Sequence, residues 1–402
     1  MARLGADTNL LVCQKSKVAD WLAHFREVMG WTEVYDLTSP KEFEGFFREV
    51  GFRSVVGVIN YDLVFRRPKL SGLGGGGEEG GGGGTFTLML DESSLIQNAK
   101  AKRTKFILRM RPDNVILLSG TPTGGKYERL LPQMRLLGWN ISEPIFWGQY
   151  VDWEWRDRGD GLRYKKIKGY KNEERLRGKM RSHGCHFLKT EEVVDLPPVN
   201  WQTLKVPAAK GYKQFRKNSY LRLGGGGEEL IGDTTLTKML CERRLCGALN
   251  PAKVTAFSDL LEGCRDRIVV FYNFWEELAA LKAVTEAAER PASEVNGRNR
   301  DLSAYEDLED SVTFVQYQAG AMGLNLQKAN KIAYFTPPLS SELFEQSKKR
   351  IHRIGQQSPC FYYRLVCPGT VETKIYKALA ERRNYTEKLF EHHEAEGKVA
   401  AG

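Results

Sequence analysis

A chain of 402 residues that is 41% apolar and 27% charged is too long for one ordinary core and too hydrophobic for a disordered tail. Lysines and arginines number 60 against 50 aspartates and glutamates, a formal charge of +10 that points toward a polyanionic partner. No apolar run approaches the length of a membrane span, and seven cysteines without a C-x-x-C pair indicate neither a disulfide framework nor a zinc ribbon.

In chain order, NLLVC, VADWLAHFREVMG, VVGVINY, TFTLML, AKRTKFILRM, NVILLSG and YERLLPQMRLLG alternate short apolar runs with amphipathic ones. Strands alternating with helices imply a parallel sheet covered by helices. The alternation returns from about residue 252 with VTAFSDLLEGC, RIVVFYN, WEELAALKAVTEAAE, SVTFVQY, KIAYFT, SELFEQSKKRIHRI and PCFYYRLV. Two α/β domains are therefore expected, over 1–145 and 246–402. Between them, residues 146–245 form a basic, aromatic-rich insertion expected to be helical. Its stretch VDWEWRDRGDGLRYKKIKGYKNEERLRGKMRSH interleaves rings with cations, which suits either base stacking with phosphate contact or a solvated insertion anchored by its tryptophans. In HGCHF, His183, Cys185 and His186 lack a second ligand pair and read as ordinary packing. The glycine tracts LGGGGEEGGGGG and LGGGGEEL read as flexible connectors.

Residues 120–127, GTPTGGKY, fit seven places of the phosphate-loop pattern G-x-x-x-x-G-K-S/T, but Tyr127 stands where a magnesium-binding hydroxyl is needed. Upstream, TFTLML ends in DESS, an acidic pair at the carboxyl end of a buried strand, where parallel sheets bind ligands. Strand, Asp-Glu, helix, strand and Ser-Gly-Thr-Pro in that order resemble motifs II and III of superfamily-two helicases and translocases. YQAGAMGLNLQKANKIAYF and the run Gln346, Arg350, His352, Arg353, Ile354, Gly355, Gln356 resemble motifs V and VI of the Swi/Snf-related branch. LLVCQKSKVADWLAHF is similar to motif Ia and RIVVFYNFWEEL to motif IV, so the resemblance covers nearly the whole chain.

The resemblance implies two RecA-like domains closing on ATP and Mg²⁺. Asp91 would hold the metal through water, and Glu92 would orient or deprotonate the attacking water. Gln346, Gly323, Arg350 and Arg353 would complete the site. The two arginines, three apart on a predicted helix, would project from one face as arginine fingers. Gln14, Lys15, Ser16, Ser119, Thr121, Gly320 and Asn325 lie in motifs that touch nucleic acid or couple it to the nucleotide. DESS departs from the usual Asp-Glu-x-His at its fourth place.

The family's phosphate loop belongs upstream of motif Ia, and none precedes it here, so the first domain is expected to be N-terminally incomplete and the chain as given to hydrolyse ATP poorly or not at all. The expected protein is a DNA-dependent ATPase and translocase of bacterial or phage type. It would act in the cytoplasm on double-stranded DNA, away from membranes, with a possible partner chain supplying the missing elements. A nucleotide-independent nucleic-acid binder and a regulatory subunit remain alternatives.

Overall fold

The computed structural model describes residues 4–74, 84–120, 122–123, 126–157, 162–186, 188, 195–224, 228–320 and 323–390, with side chains undescribed over 382–390. The centres of both glycine tracts and Thr121 lie outside the described residues. The chain divides into two units, residues 1–187 with 384–402, and residues 188–383.

The first unit is built on strands β1 (Thr8–Cys13), β2 (Val34–Asp36), β3 (Val55–Asn60), β4 (Phe86–Asp91) and β5 (Asn114–Leu118), all parallel in the order β2-β3-β1-β4-β5. Every residue of β1 and β3 is buried, as continuous apolar runs covered on both faces require. Alternation then sorts the side chains. Leu10, Val12, Ile59 and Leu90 join Phe46 and Ile107 on one face, while Leu11, Cys13, Val58 and Met89 join Leu22 and Phe25 on the other. In β3, a Cβ at Gly57 would come within 2.5 Å of the Leu37 side chain, so only glycine lets the covering layer approach this closely. β5 is an edge strand among the described residues, and its Leu118 is 40% exposed.

After β5 the chain builds a small core of its own from Tyr127, Leu131, Met134, Phe146, Tyr150, Leu176 and Met180. The antiparallel hairpin β6 (Val151–Asp157) and β7 (Arg163–Tyr170) packs on it through Trp153, Ile167 and Tyr170. His183 lies against the Trp139 ring, 5.9 Å between centroids, and the Cys185 thiol points at Met134, so these two residues of HGCHF serve packing.

The second unit carries β8 (Val199–Lys205), a small β9 (Tyr220–Arg222) and β10 (Glu229–Ile231) ribbon, and a larger set: β11 (Ile268–Tyr272), β12 (Ala292–Val295), β13 (Arg300–Asp301), β14 (Val312–Gln316), β15 (Lys331–Tyr334) and β16 (Cys360–Val366). Its main sheet has the order β13-β12-β14-β11-β15-β16-β8, parallel except at β13. Glu277, fully buried, accepts from the backbone amides of Asn273 and Phe274 and from the Thr336 hydroxyl. Burial pushes its carboxyl above the ordinary range.

The expectation for 146–245 needs correction. This stretch is not one helical insertion: its first part closes the small core of the first unit as a hairpin with flanking helices, and Val199–Lys205 is the edge strand of the second sheet, parallel to β16. The alternating Trp-Glu-Trp-Arg and Tyr-Lys-Lys-Ile-Lys patterns suit a two-sided ribbon better than a helix.

Candidate functional site

In the first unit the parallel register brings the ends of four strands together, because Val12 pairs with both Leu90 and Ile59 and Asp91 pairs with Leu118. Gln14, Lys15 and Ser16, the acidic pair, and Ser119 thus leave the sheet along one edge. Lys15 is exposed there, and Gln14 and Ser16 are half-buried.

Asp91 ends β4 with its Oδ2 accepting from the Trp21 indole at 2.9 Å, and its carbonyl takes the Tyr61 hydroxyl at 2.9 Å. Burial, with help from the nearby Asp91 charge, holds the Tyr61 phenol well above its usual pKa, so it remains a donor. Glu92 adopts a left-handed conformation with φ of 56°, at a cost of about 1–3 kcal/mol for a residue with a side chain. That turn aims its Oε1 at two hydroxyls, Ser94 at 2.7 Å and Ser119 at 2.8 Å. Ser94 is the fourth residue of DESS, so a hydroxyl stands at the place where the resembled pattern has histidine, and it bonds the acid directly.

The loop after β5 is tied to the same segment a second time. Ser93 donates to Gln133 at 3.0 Å, and Gln133 and Gln97 both donate to the Pro122 carbonyl, at 2.8 and 3.2 Å. Tyr127 is fully buried and stacks on Tyr170 at 4.2 Å. The eighth place of GTPTGGKY is therefore a core aromatic.

Among the described residues neither Asp91 nor Glu92 has a lysine or arginine within ion-pair distance. Two adjacent carboxylates steadied by neutral donors, with no protein cation to balance them, fit a hydrated Mg²⁺.

In the second unit Gln346 lies in the helix Ser341–Lys348, capped by the Ser340 hydroxyl at the Leu343 amide. Its buried Oε1 has no hydrogen-bond partner among the described residues. The expectation that Arg350 and Arg353 share a helical face is not met, because the helix stops at Lys348 and both arginines lie in the turn that follows. The Arg350 carbonyl accepts from the Leu326 amide at 3.1 Å, and Gln356 Nε2 donates to the carbonyls of Ile351, Gln327 and Ala329. These bonds replace the ones a continued helix would need. Gly355 closes the turn with φ of +96°, its backbone against the Gln327 side chain.

The turn is joined to the motif V segment. Arg350 Nη1 donates to the Leu324 carbonyl at 3.4 Å, between Gly323, with φ of +70°, and the exposed Asn325. Gly320 ends the short helix that starts at Tyr317. His352 bonds the Pro197 carbonyl at 2.8 Å, so it anchors the turn to the entry of the second unit.

Sequence reasoning missed Trp21, Tyr61 and Gln133. Their only signals were an indole in the helix after motif Ia, an aromatic at the end of β3, and an amide in an amphipathic run.

Two parallel sheets with an acidic strand end in one unit and a glycine- and arginine-lined turn in the other define a tandem α/β fold of RecA-like type. Residues 252–355 match the family described as "Helicase conserved C-terminal domain". The chain is similar to the DNA repair and recombination protein RAD54-like of Drosophila willistoni, 27% identical over 141 residues, covering 33% of this chain and 18% of that protein. It is also similar to the DNA repair and recombination protein RDH54 of Saccharomyces cerevisiae, 27% identical over 165 residues, covering 38% and 18%. The chain thus spans less than a fifth of the length of these curated relatives. The solved C-terminal part of the Fun30 ATPase domain aligns with a TM-score of 0.36 at 13% identity, covering 49% of this chain and all of that one.

Residues 252–355 are thus similar to helicase C-terminal domains, and about a third of the chain is similar to the RAD54-like and RDH54 proteins. These relatives are eukaryotic, so the expected bacterial or phage type finds no support among them. No helix among the described residues is long and apolar enough to cross a membrane.

Proposed function

We propose that this chain is the motor portion of a Swi/Snf-like, DNA-dependent ATPase that translocates on duplex DNA. The observation that carries the reading is the Glu92 carboxylate held jointly by Ser94 of its own motif and Ser119 of the next. A general base for water must be fixed in direction, and two hydroxyls fix it. Because Ser119 begins the Ser-Gly-Thr-Pro loop, a shift of that loop on DNA would be felt at the acid.

Asp91 would hold hydrated Mg²⁺, which when bound would offset charge on the nucleotide phosphates. Glu92 orients the water and takes its proton. Arg350 and Arg353 contribute guanidiniums to the transferring phosphoryl group, and Gln346 and Gly323 border the same turn. Gln14, Lys15, Ser16, Thr121, Gly320 and Asn325 serve the nucleic-acid side. The 402 residues contain no G-x-x-x-x-G-K-S/T. Positioning by such a loop supplies much of phosphoryl-transfer catalysis, so the chain by itself should turn ATP over slowly, and a partner chain carrying the loop would speed it.

Removing the hydroxyl in Ser119→Ala is expected to cut the stimulation of phosphate release by DNA severalfold while leaving the unfolding midpoint unchanged. Unchanged stimulation would remove Ser119 from the coupling. Affinity for duplex DNA should fall steeply with salt, by about 10³-fold between roughly 50 and 200 mM if about six phosphates are neutralised. A flat salt titration would argue against phosphate contact altogether.

That these 402 residues hold no G-x-x-x-x-G-K-S/T favours one other reading, a nucleic-acid binder indifferent to nucleotide. DNA affinity that is the same with and without ATP, together with no turnover, would establish it.

A further inference from the structure

The β6–β7 hairpin has no role in the site described above, yet its chemistry is specific. Its base is fixed by Trp153, Ile167 and Tyr170 in the small core of the first unit, whereas its outer half is open to solvent. There Trp155 is 54% and Tyr164 49% exposed. Direct pairing puts Trp155 with Lys165 on one face and Tyr164 with Arg156 on the other, so each face of the ribbon offers one exposed ring.

The cations are distributed unevenly. Glu154 pairs with Arg156 and Lys168, and the Lys165 ammonium sits 4.2 Å from the Trp153 ring centroid and 5.8 Å from that of Trp155. Residues 163–171 hold five lysines and arginines and no acid. Lys168 is paired with Glu154, but among the described residues Arg163, Lys165, Lys166 and Lys171 have no carboxylate within ion-pair distance, and a protein-binding ribbon gains little from four such cations beside its aromatic anchors. A polyanion with planar rings satisfies both.

We propose that the outer half of this hairpin binds unpaired nucleotides of DNA, with Trp155 stacking on a base at one face and Tyr164 on a base at the other, while Arg163 and Lys166 meet phosphates. Unpaired bases are required because the rings inside a duplex already stack on each other. The inference rests on the nucleic-acid reading above but concerns a different surface and a different DNA form. A ribbon with a ring on each side suits a point where two strands diverge.

The test is fluorescence anisotropy on the full chain with labelled oligothymidylate and with a blunt duplex of equal length, for wild type, Trp155→Ala, Trp155→Phe and Tyr164→Ala. The alanine variants are each expected to weaken oligothymidylate binding by about five- to a hundredfold, the range spanned by loss of one base stack, and to leave duplex binding within about twofold. Trp155→Phe should recover most of the loss. Equal losses for both DNA forms, or no loss for oligothymidylate, would overturn the hairpin assignment even if phosphate release responds to duplex. Selective loss in a chain whose phosphate release ignores DNA would keep the hairpin assignment and reject the motor.

Discussion

Glu92→Gln is expected to lower DNA-stimulated phosphate release by about 10²- to 10⁴-fold, the usual contribution of a positioned general base. The amide keeps the size of the side chain and can still face Ser94 and Ser119, which lie 2.7 and 2.8 Å from the acid, so the loop geometry should survive while the proton acceptor is lost. Arg353→Ala should reduce the rate by about 10³- to 10⁵-fold if its guanidinium meets the transferring phosphoryl group. Arg350→Ala is a less clean probe, because Arg350 Nη1 also ties the turn to the Leu324 carbonyl. Steady-state phosphate release checks all three, with DNA affinity as the control: a fall in rate with unchanged DNA affinity places the defect in chemistry rather than in binding.

The second large effect concerns stability. Lys253 and Glu372 form an ion pair of 2.5 Å with side chains 0% and 1% exposed, joining the helix Pro251–Glu262 to the helix that starts at Val371. Glu372 also accepts from the Cys367 amide at 2.9 Å. The thiols of Cys246 and Cys367 and the Glu372 carboxylate lie within 4.8 Å of one another, but both carboxylate oxygens are already engaged, one of them by an ammonium, so this cluster reads as structural. Glu372→Ala strands a buried lysine and should destabilise the second unit by about 3–5 kcal/mol. The double variant Lys253→Met, Glu372→Leu should recover most of that, since a packed apolar pair replaces a buried ion pair at little net cost. Urea-dependent hydrogen exchange of the β11 and β15 amides reads this unit without requiring the whole chain to unfold in one step. Equal protection in the single and the double variant would show that the charge pair is not what holds these helices.

Strands buried on both faces were the most legible part of the fold. VVGVIN and RIVVFYN are continuous apolar runs, and only a two-sided layer uses them. The acidic pair and the Ser-Gly-Thr-Pro loop were legible too, because both follow such strands directly. What joins them was not: Ser94 looked like a departure from pattern, and its bond to Glu92 depends on the left-handed turn that only the structure reveals. The turn holding Arg350 and Arg353 escaped for a different reason. SKKRIHRIG has ordinary helical composition, yet the helix stops at Lys348 and the Arg350 carbonyl accepts from the Leu326 amide, which arrives from elsewhere in the chain. In the hairpin the period-two pattern is present, but its dense charge masks the apolar alternation that marks a strand. β8 could not be foreseen as part of a sheet, because its partner β16 lies about 160 residues further along the chain.

Phosphate release from ATP, followed with and without duplex DNA for the wild-type chain and for Glu92→Gln, bears on all of this at once. If the proposed DNA-dependent ATPase reading holds, these 402 residues, which contain no G-x-x-x-x-G-K-S/T, should show slow release that rises when duplex is added and disappears in the variant. Release indifferent to both the duplex and the loss of the Glu92 carboxylate would contradict it.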